Sequence, residues 1–269
     1  MEEVTIIGVD LAKNVFQVHG AAADGSVVYR KKLSRLQFSR FMAEMAYSQA
    51  IGEAVISGFD DTRDGLPYVN QIFLGYGGGG AIHGYDGWLL SGAACDGGQM
   101  ALDSVEINEA MYPILIESRG CAVDSGGPGQ WEGAPGIEGV YRPLSGRMTA
   151  FWGSDGDVTP ASGVRGGGSA ATSGNWLRDV SGAMKVLPAF GDVTIGSDQA
   201  VAFRACGGGG YGNPRHRDTE RVLLSVRRGW ISVERARDVY GVVIRRAPDG
   251  LDWEIDAERT SLLRSGGAA

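Results

Sequence analysis

Short β-rich stretches, some alternating apolar and polar positions with a period of two, recur along this chain, the pattern of strands that bury one face. Residues 4–9 run as a β-rich stretch into Asp10, residues 15–19 alternate, and residues 27–30 follow a turn of the Asp-Gly type at 23–26. The period then lengthens. Leu36, Phe38, Phe41, Met42 and Met45 share one face of a helix that Ser34 can cap. Strands are predicted again over 51–59 and 68–74, joined by a turn at 60–67, and over 114–117, 139–142, 148–152, 193–195 and 200–203. Helical spacing returns only near the end. Asp218 or Thr219 caps a helix through Val222, Leu223 and Val226 that Gly229 ends, Ser232 starts a second helix, and 239–244 reads as a closing strand. The fold class expected is α+β: a β-rich body with glycine turns and a C-terminal helix-helix-strand unit, preceded by a βββα opening.

Composition divides the chain near residue 46. Of 44 glycines, only Gly8, Gly20 and Gly25 precede that point. Charge shifts with them, from six basic against five acidic residues before it to 19 against 27 after it. Two domains are therefore expected, 1–46 and 47–269. The glycines of the run from Asp124 to Gly133 are expected at turn positions with positive φ.

The net charge of −7 argues against nucleic-acid binding held by bulk electrostatics. No apolar run approaches the roughly 18–20 residues of a membrane span, and no secretory leader is evident. The expectation is a soluble, cytoplasmic protein. Cys95, Cys121 and Cys206 are odd in number and far apart, as reduced thiols are. His19, His83 and His216 are equally scattered, and no metal-ligand spacing is present.

Candidate chemistry is sparse. Asp155 and Asp157, with Ser154 between flexible glycines, could face a cation. Ser125 lies in Asp124-Ser125-Gly126-Gly127, without the Gly-x-Ser-x-Gly elbow of an activated nucleophile. Gly75/Gly77/Gly80 and Gly207/Gly209/Gly212 match G-x-G-x-x-G, yet neither leads directly into a helix as a dinucleotide site requires. Backbone N–H groups over Gly207, Gly208, Gly209 and Gly210 remain candidates for holding a phosphate or carboxylate.

Two resemblances sharpen this reading. The string Ile7-Gly8-Val9-Asp10-Leu11-Ala12-Lys13-Asn14-Val15-Phe16, continued by Arg30–Arg35, resembles the start of DEDD-type insertion-sequence transposases. It implies a ribonuclease-H-like opening with Asp10 at the first catalytic position. That family's later carboxylates have no counterpart here, and one carboxylate cannot hold two metal ions. Residues 47–247 are similar to the C-terminal part of the hydantoinase B/5-oxoprolinase family. Three strings carry this likeness in order: Ala122–Gly129 with Trp131–Gly133, Gly207–Pro214, and Ser232–Val243. The resemblance implies ATP-dependent opening of a cyclic amide such as hydantoin or 5-oxoproline. A hydantoinase A-type partner would supply the nucleotide fold, and phosphorylation of the amide oxygen would make the ring carbon electrophilic toward water. The divalent-metal site of some relatives belongs to a part with no match here. Asp124, Ser125, Asp155 and Asp157 are the catalytic candidates, with Asp10 vestigial. An inactive fusion left by an insertion-element rearrangement is the alternative.

Overall fold

A computed structural model describes residues 6–11, 15–21, 27–34, 51–90, 102, 104–154 and 156–266. The chain divides into two compact units, Met1–Met45 and Ala46–Ala269.

In the first unit, β1 (Ile6–Leu11), β2 (Val15–Ala21) and β3 (Val27–Ser34) form an antiparallel sheet in that order. Asp10 stands in β1 opposite Gln17 of β2. Strand β3 runs on through Ser34, the residue read as a helix cap. The turn at 23–26 and the helix expected over 36–45 lie outside the described residues.

The second unit is an α+β body built on two antiparallel sheets. One has the order β11-β8-β4-β5, from β4 (Ile51–Asp60), β5 (Leu66–Tyr76), β8 (Arg147–Gly153) and β11 (Phe190–Gly196). The other has the order β10-β9-β12-β7-β6, from β6 (Ile114–Cys121), β7 (Ile137–Pro143), β9 (Gly174–Arg178), β10 (Met184–Leu187) and β12 (Ala200–Arg204). Alternate residues of both sheets meet in one core of Ile56, Tyr68, Ile114, Tyr141, Met148, Trp152, Ile195 and Phe203. Period-two patterning gave most of these strands, since one buried face per strand is what sandwich packing demands. The short strands β9 and β10 and the helix α1 (Val105–Met111), capped by Ser104, carry too few apolar repeats to be read that way.

Apart from a turn at Arg165–Gly166 and a left-handed Gly212, the glycine strings run extended without forming regular strands. Segments 77–81, 126–136, 163–168 and 206–212 run side by side and hydrogen-bond through their backbones: Gly78 N to Cys206 O (2.9 Å), Ala134 N to Gly79 O (3.0 Å), Gly127 N to Gly208 O (2.7 Å) and Gly168 N to Pro128 O (2.7 Å). A Cβ on Gly208 would stand 1.9 Å from Gly79 O, and one on Gly133 would stand 1.9 Å from Gly208 O. Gly207 and Gly210, three residues apart, both face the 125–128 backbone while Gly208 faces another neighbour. That is the three-residue period of a polyproline-II-type segment, whose close packing admits only glycine. The expected positive φ is thereby corrected. Gly126, Gly127, Gly129 and Gly133 are absent from the positive-φ positions, and the left-handed residue of that run is Asp124, at φ 61°. These glycines serve close approach rather than turning.

A helical unit follows the last glycine string. Helix α2 (Thr219–Arg227) is capped by Asp218 and helix α3 (Val233–Asp238) by Ser232. Their apolar faces bury Val222, Leu223, Val226, Ala236 and Tyr240. The closing strand is later and shorter than expected: β13 (Ile244–Arg246) pairs with β14 (Trp253–Ile255), and α4 (Ala257–Ser265) ends the unit. Gly241, at φ 67°, interrupts the apolar run after α3 and prevents an extended conformation there.

Candidate functional site

Chemistry-bearing side chains converge where the glycine layers meet the helical unit. Glu132 projects from the 126–136 segment and is 3% exposed. Its carboxylate accepts from Ser225 Oγ of α2 at 2.7 Å and from Tyr240 OH at 2.9 Å. Arg217 Nη2 lies 3.2 Å from the same carboxylate. Arg217 also clamps Asp86 with two hydrogen bonds, of 2.6 and 2.9 Å, and Asp86 accepts from the Glu132 backbone N–H at 2.7 Å. On the solvent side Arg221 reaches Asp86 at 3.3 Å and stacks over the Trp131 ring at 5.0 Å. His83 packs edge-on against Trp131 and Tyr211.

Burial pushes the Glu132 carboxyl above its usual range, although Arg217, Ser225 and Tyr240 pull it back. Burial, joined by the neighbouring Glu132 charge, also raises the Tyr240 phenol well above its ordinary value. For Arg217 burial works against the cation, but the bonds to Asp86 and the charges of Glu132 and Asp86 outweigh it. A buried Glu132–Arg217 pair thus meets Asp86 and the solvent-side Arg221, an arrangement that holds elements in register if every member is present.

The sequence-derived candidates fall in several places. Asp124 joins the same two layers: its carboxylate accepts from Ser232 N at 2.8 Å, its N–H donates to Trp230 O, and Arg235 donates to its carbonyl and to Gly126 O. Ser125 is 1% exposed; its hydroxyl donates to Ala122 O at 2.6 Å and accepts from Gly136 N at 2.9 Å, so both functions of that oxygen are occupied. Asp157 is half-buried, and its Oδ1 has no hydrogen-bond partner among the described residues. Asp155 lies outside them. In the string Gly207–Gly210, the N–H groups of Gly208 and Gly210 donate to Ala134 O and Gly168 O. A phosphate would have to displace those carbonyls. No three His, Cys, Asp or Glu side chains among the described residues could share a metal ion. Cys121 and Cys206 form no disulfide among the described residues, and Cys95 lies outside them. No helix among the described residues is long and apolar enough to cross a membrane.

Sequence reasoning missed the Glu132 cluster. Its members come from four separate parts of the chain, around Asp86, Glu132, Arg217–Ser225 and Tyr240, and only the dense Trp131-Glu132-Gly133 string offered a signal. The Asp124 joint is simple to test. Asparagine tolerates the left-handed conformation and keeps the acceptor for Ser232 N–H. Asp124→Asn is expected to stay within about 0.5 kcal/mol of the parent in urea denaturation, whereas Asp124→Leu should cost about 2 kcal/mol.

The model of one family, hydantoinase B/oxoprolinase, matches residues 27–214. The chain is 32% identical over 194 residues to the caprolactamase subunit beta of Pseudomonas jessenii, covering 70% of this chain and 33% of that protein. The crystal structure of the ATP-dependent caprolactamase from the same organism superposes with a TM-score of 0.67 at 27% identity, over 86% of this chain and 40% of the other. Nucleotide-free acetone carboxylase superposes at 0.70 with 21% identity, over 86% of this chain and 35% of the other, a likeness of fold. Separately, 43 residues are 44% identical to a transposase for an insertion sequence element of Yersinia enterocolitica, 16% of this chain and 13% of that protein. The chain spans about a third of the caprolactamase subunit it matches.

Proposed function

This chain belongs to the hydantoinase B/oxoprolinase family, and from that premise we propose that it works as a subunit in ATP-dependent hydrolysis of a cyclic amide. The observation that carries the reading is the family match over 27–214 together with the superposition on an ATP-dependent caprolactamase. Hydantoin, 5-oxoproline and caprolactam are the substrates to try. ATP is assigned to a hydantoinase A-type partner, because Gly208 and Gly210 of the candidate phosphate string already donate their N–H groups to Ala134 O and Gly168 O. In that assembly the chain's own residues act as scaffold. The Glu132 cluster and the Asp124 joint lock the helical unit onto the glycine layers. Asp157, with its unpartnered oxygen, and Asp155 beside it in sequence, are the positions to test for a direct part in the reaction.

Co-expression with a hydantoinase A-type protein, followed by assay of lactam-dependent ATP hydrolysis, tests the proposal. Stimulation above the partner alone is expected, and Asp157→Asn is expected to lower it at least tenfold. A second reading follows from the separate unit at Met1–Met45 and the transposase likeness: a fusion of two unrelated coding segments in which the amidase role is lost. It predicts no stimulation with any of the three lactams.

A further inference from the structure

The last helix of the chain is attached to the helical unit almost without apolar contact. Among the described residues, the core of that unit is supplied by α2, α3, the segments that follow them and β14, and no residue of α4 belongs to it. Thr260 is the buried residue of α4, while Leu262 is 67% exposed. Hydrogen bonds hold the helix instead. Arg264 Nη2 donates to Arg217 O at 2.8 Å and to Tyr240 O at 3.1 Å, and Arg264 Nε donates to Tyr240 O at 3.2 Å. Arg215 Nη1 donates to Leu263 O at 3.1 Å, Val243 N to Thr260 Oγ1 at 3.0 Å and Asp256 N to Val243 O at 2.9 Å. Burial and the like charge of Arg215 hold the Arg264 guanidinium below its usual value despite Asp218.

An element with few buried apolar contacts and solvent-side hydrogen bonds opens locally, before the domain around it unfolds. Lifting α4 uncovers polar groups that water can satisfy, and it leaves the apolar core of the unit intact. The carbonyls it releases have a particular place in the fold. Arg217 and Tyr240 are also the residues whose side chains meet the buried Glu132 carboxylate. Glu132 thus takes their side chains and Arg264 their carbonyls. We propose that α4 is a releasable strap: it opens as a unit without unfolding the helical core and, when closed, steadies Arg217 and Tyr240 in the Glu132 cluster.

Native-state hydrogen exchange of the full chain, read residue by residue, is the test. Amides within α4 should exchange about a hundredfold faster than those within α2. Two neighbouring amides give the sharpest comparison. Val243 N–H rests on Thr260 of the strap, whereas Val242 N–H rests on Ala236 O of α3. Val243 should therefore exchange with α4, and Val242 with α3. Arg264→Met should speed α4 and Val243 about tenfold further, and Arg264→Lys, which keeps the charge and a donor, should fall between. Coupling is reciprocal, so Glu132→Gln, with the chain still folded, should speed α4 exchange about fivefold. A common rate for α4 and α2, or a Val243 amide as slow as Val242, overturns the strap. Exchange of α4 that ignores Glu132→Gln overturns its hold on Arg217 and Tyr240.

Discussion

Gly208→Ala is expected to leave almost no folded soluble protein. The new methyl would sit 1.9 Å from the carbonyl oxygen of Gly79 and 2.2 Å from its carbon. Ordinary C···O contact is about 3.3 Å or more, so the two backbones must part by more than 1 Å. Neither can do so alone. Gly79 O accepts from Ala134 N, and Gly208 itself donates to Ala134 O and accepts from Gly127 N. Over-packing a core side chain costs about 1–3 kcal/mol, and here the obstacle is hydrogen-bonded main chain on several sides. The loss should exceed that range and consume much of the roughly 5–15 kcal/mol that holds a typical domain folded. Gly120→Ala and Gly229→Ala are the controls. A Cβ at either meets nothing within 4 Å, and only Gly229, at φ 68°, is left-handed. Gly120→Ala should melt like the parent, and Gly229→Ala should lose about 1–2 kcal/mol. A Gly208→Ala chain that melts within a few degrees of the parent would remove the close-packing account of the glycine strings.

Arg217→Leu should be comparably severe, for an electrostatic reason. It leaves Glu132 and Asp86 facing each other without the guanidinium that bridges them, and stranding a buried charge costs about 3–5 kcal/mol. Glu132→Gln is the informative partner. The amide keeps an acceptor for Ser225, Tyr240 can turn its hydroxyl to accept from the new NH2, and Arg217 retains Asp86, so about 1 kcal/mol is at risk. The two chains should also differ in pH dependence. Folding raises the Glu132 carboxyl above its ordinary 4.5, chiefly by burial, so the native state favours the protonated form. A raised folded value gives stability that is complete below the ordinary value and is lost as pH rises through the folded one. The parent should therefore show a stability slope above pH 4.5 that Glu132→Gln lacks. Urea denaturation across that range measures both effects. A Glu132→Gln chain with the parental slope would take the titration away from Glu132.

Much of the fold is written in local pattern. Caps at Asp218 and Ser232, the stop at Gly229 and the period-two runs that became β4, β5, β7, β8, β11 and β12 are decided by residues within a few positions of one another. Those signals need no knowledge of partners. The strand expected over 239–244 failed because Gly241 is left-handed and closes α3, with Gly241 N–H donating to Arg237 O and Val242 N–H to Ala236 O.

Glycine content and order were legible too, and so was the family likeness they carry. What glycine does there was not. A turn glycine and a close-approach glycine look alike in sequence, because the difference lies in what stands opposite the missing Cβ. For Gly208 that is Gly79, more than a hundred positions earlier. The Glu132 cluster escaped on the same ground: its partners Asp86, Arg217, Ser225 and Tyr240 come from distant parts of the chain, and burial turned ordinary polar residues into a lock. Sequence by itself determined the element types, the glycine strings and the family. Tertiary structure decided which backbone faces which, and therefore where methyl groups are forbidden and which charges must be paired, because both depend on distances that folding alone creates.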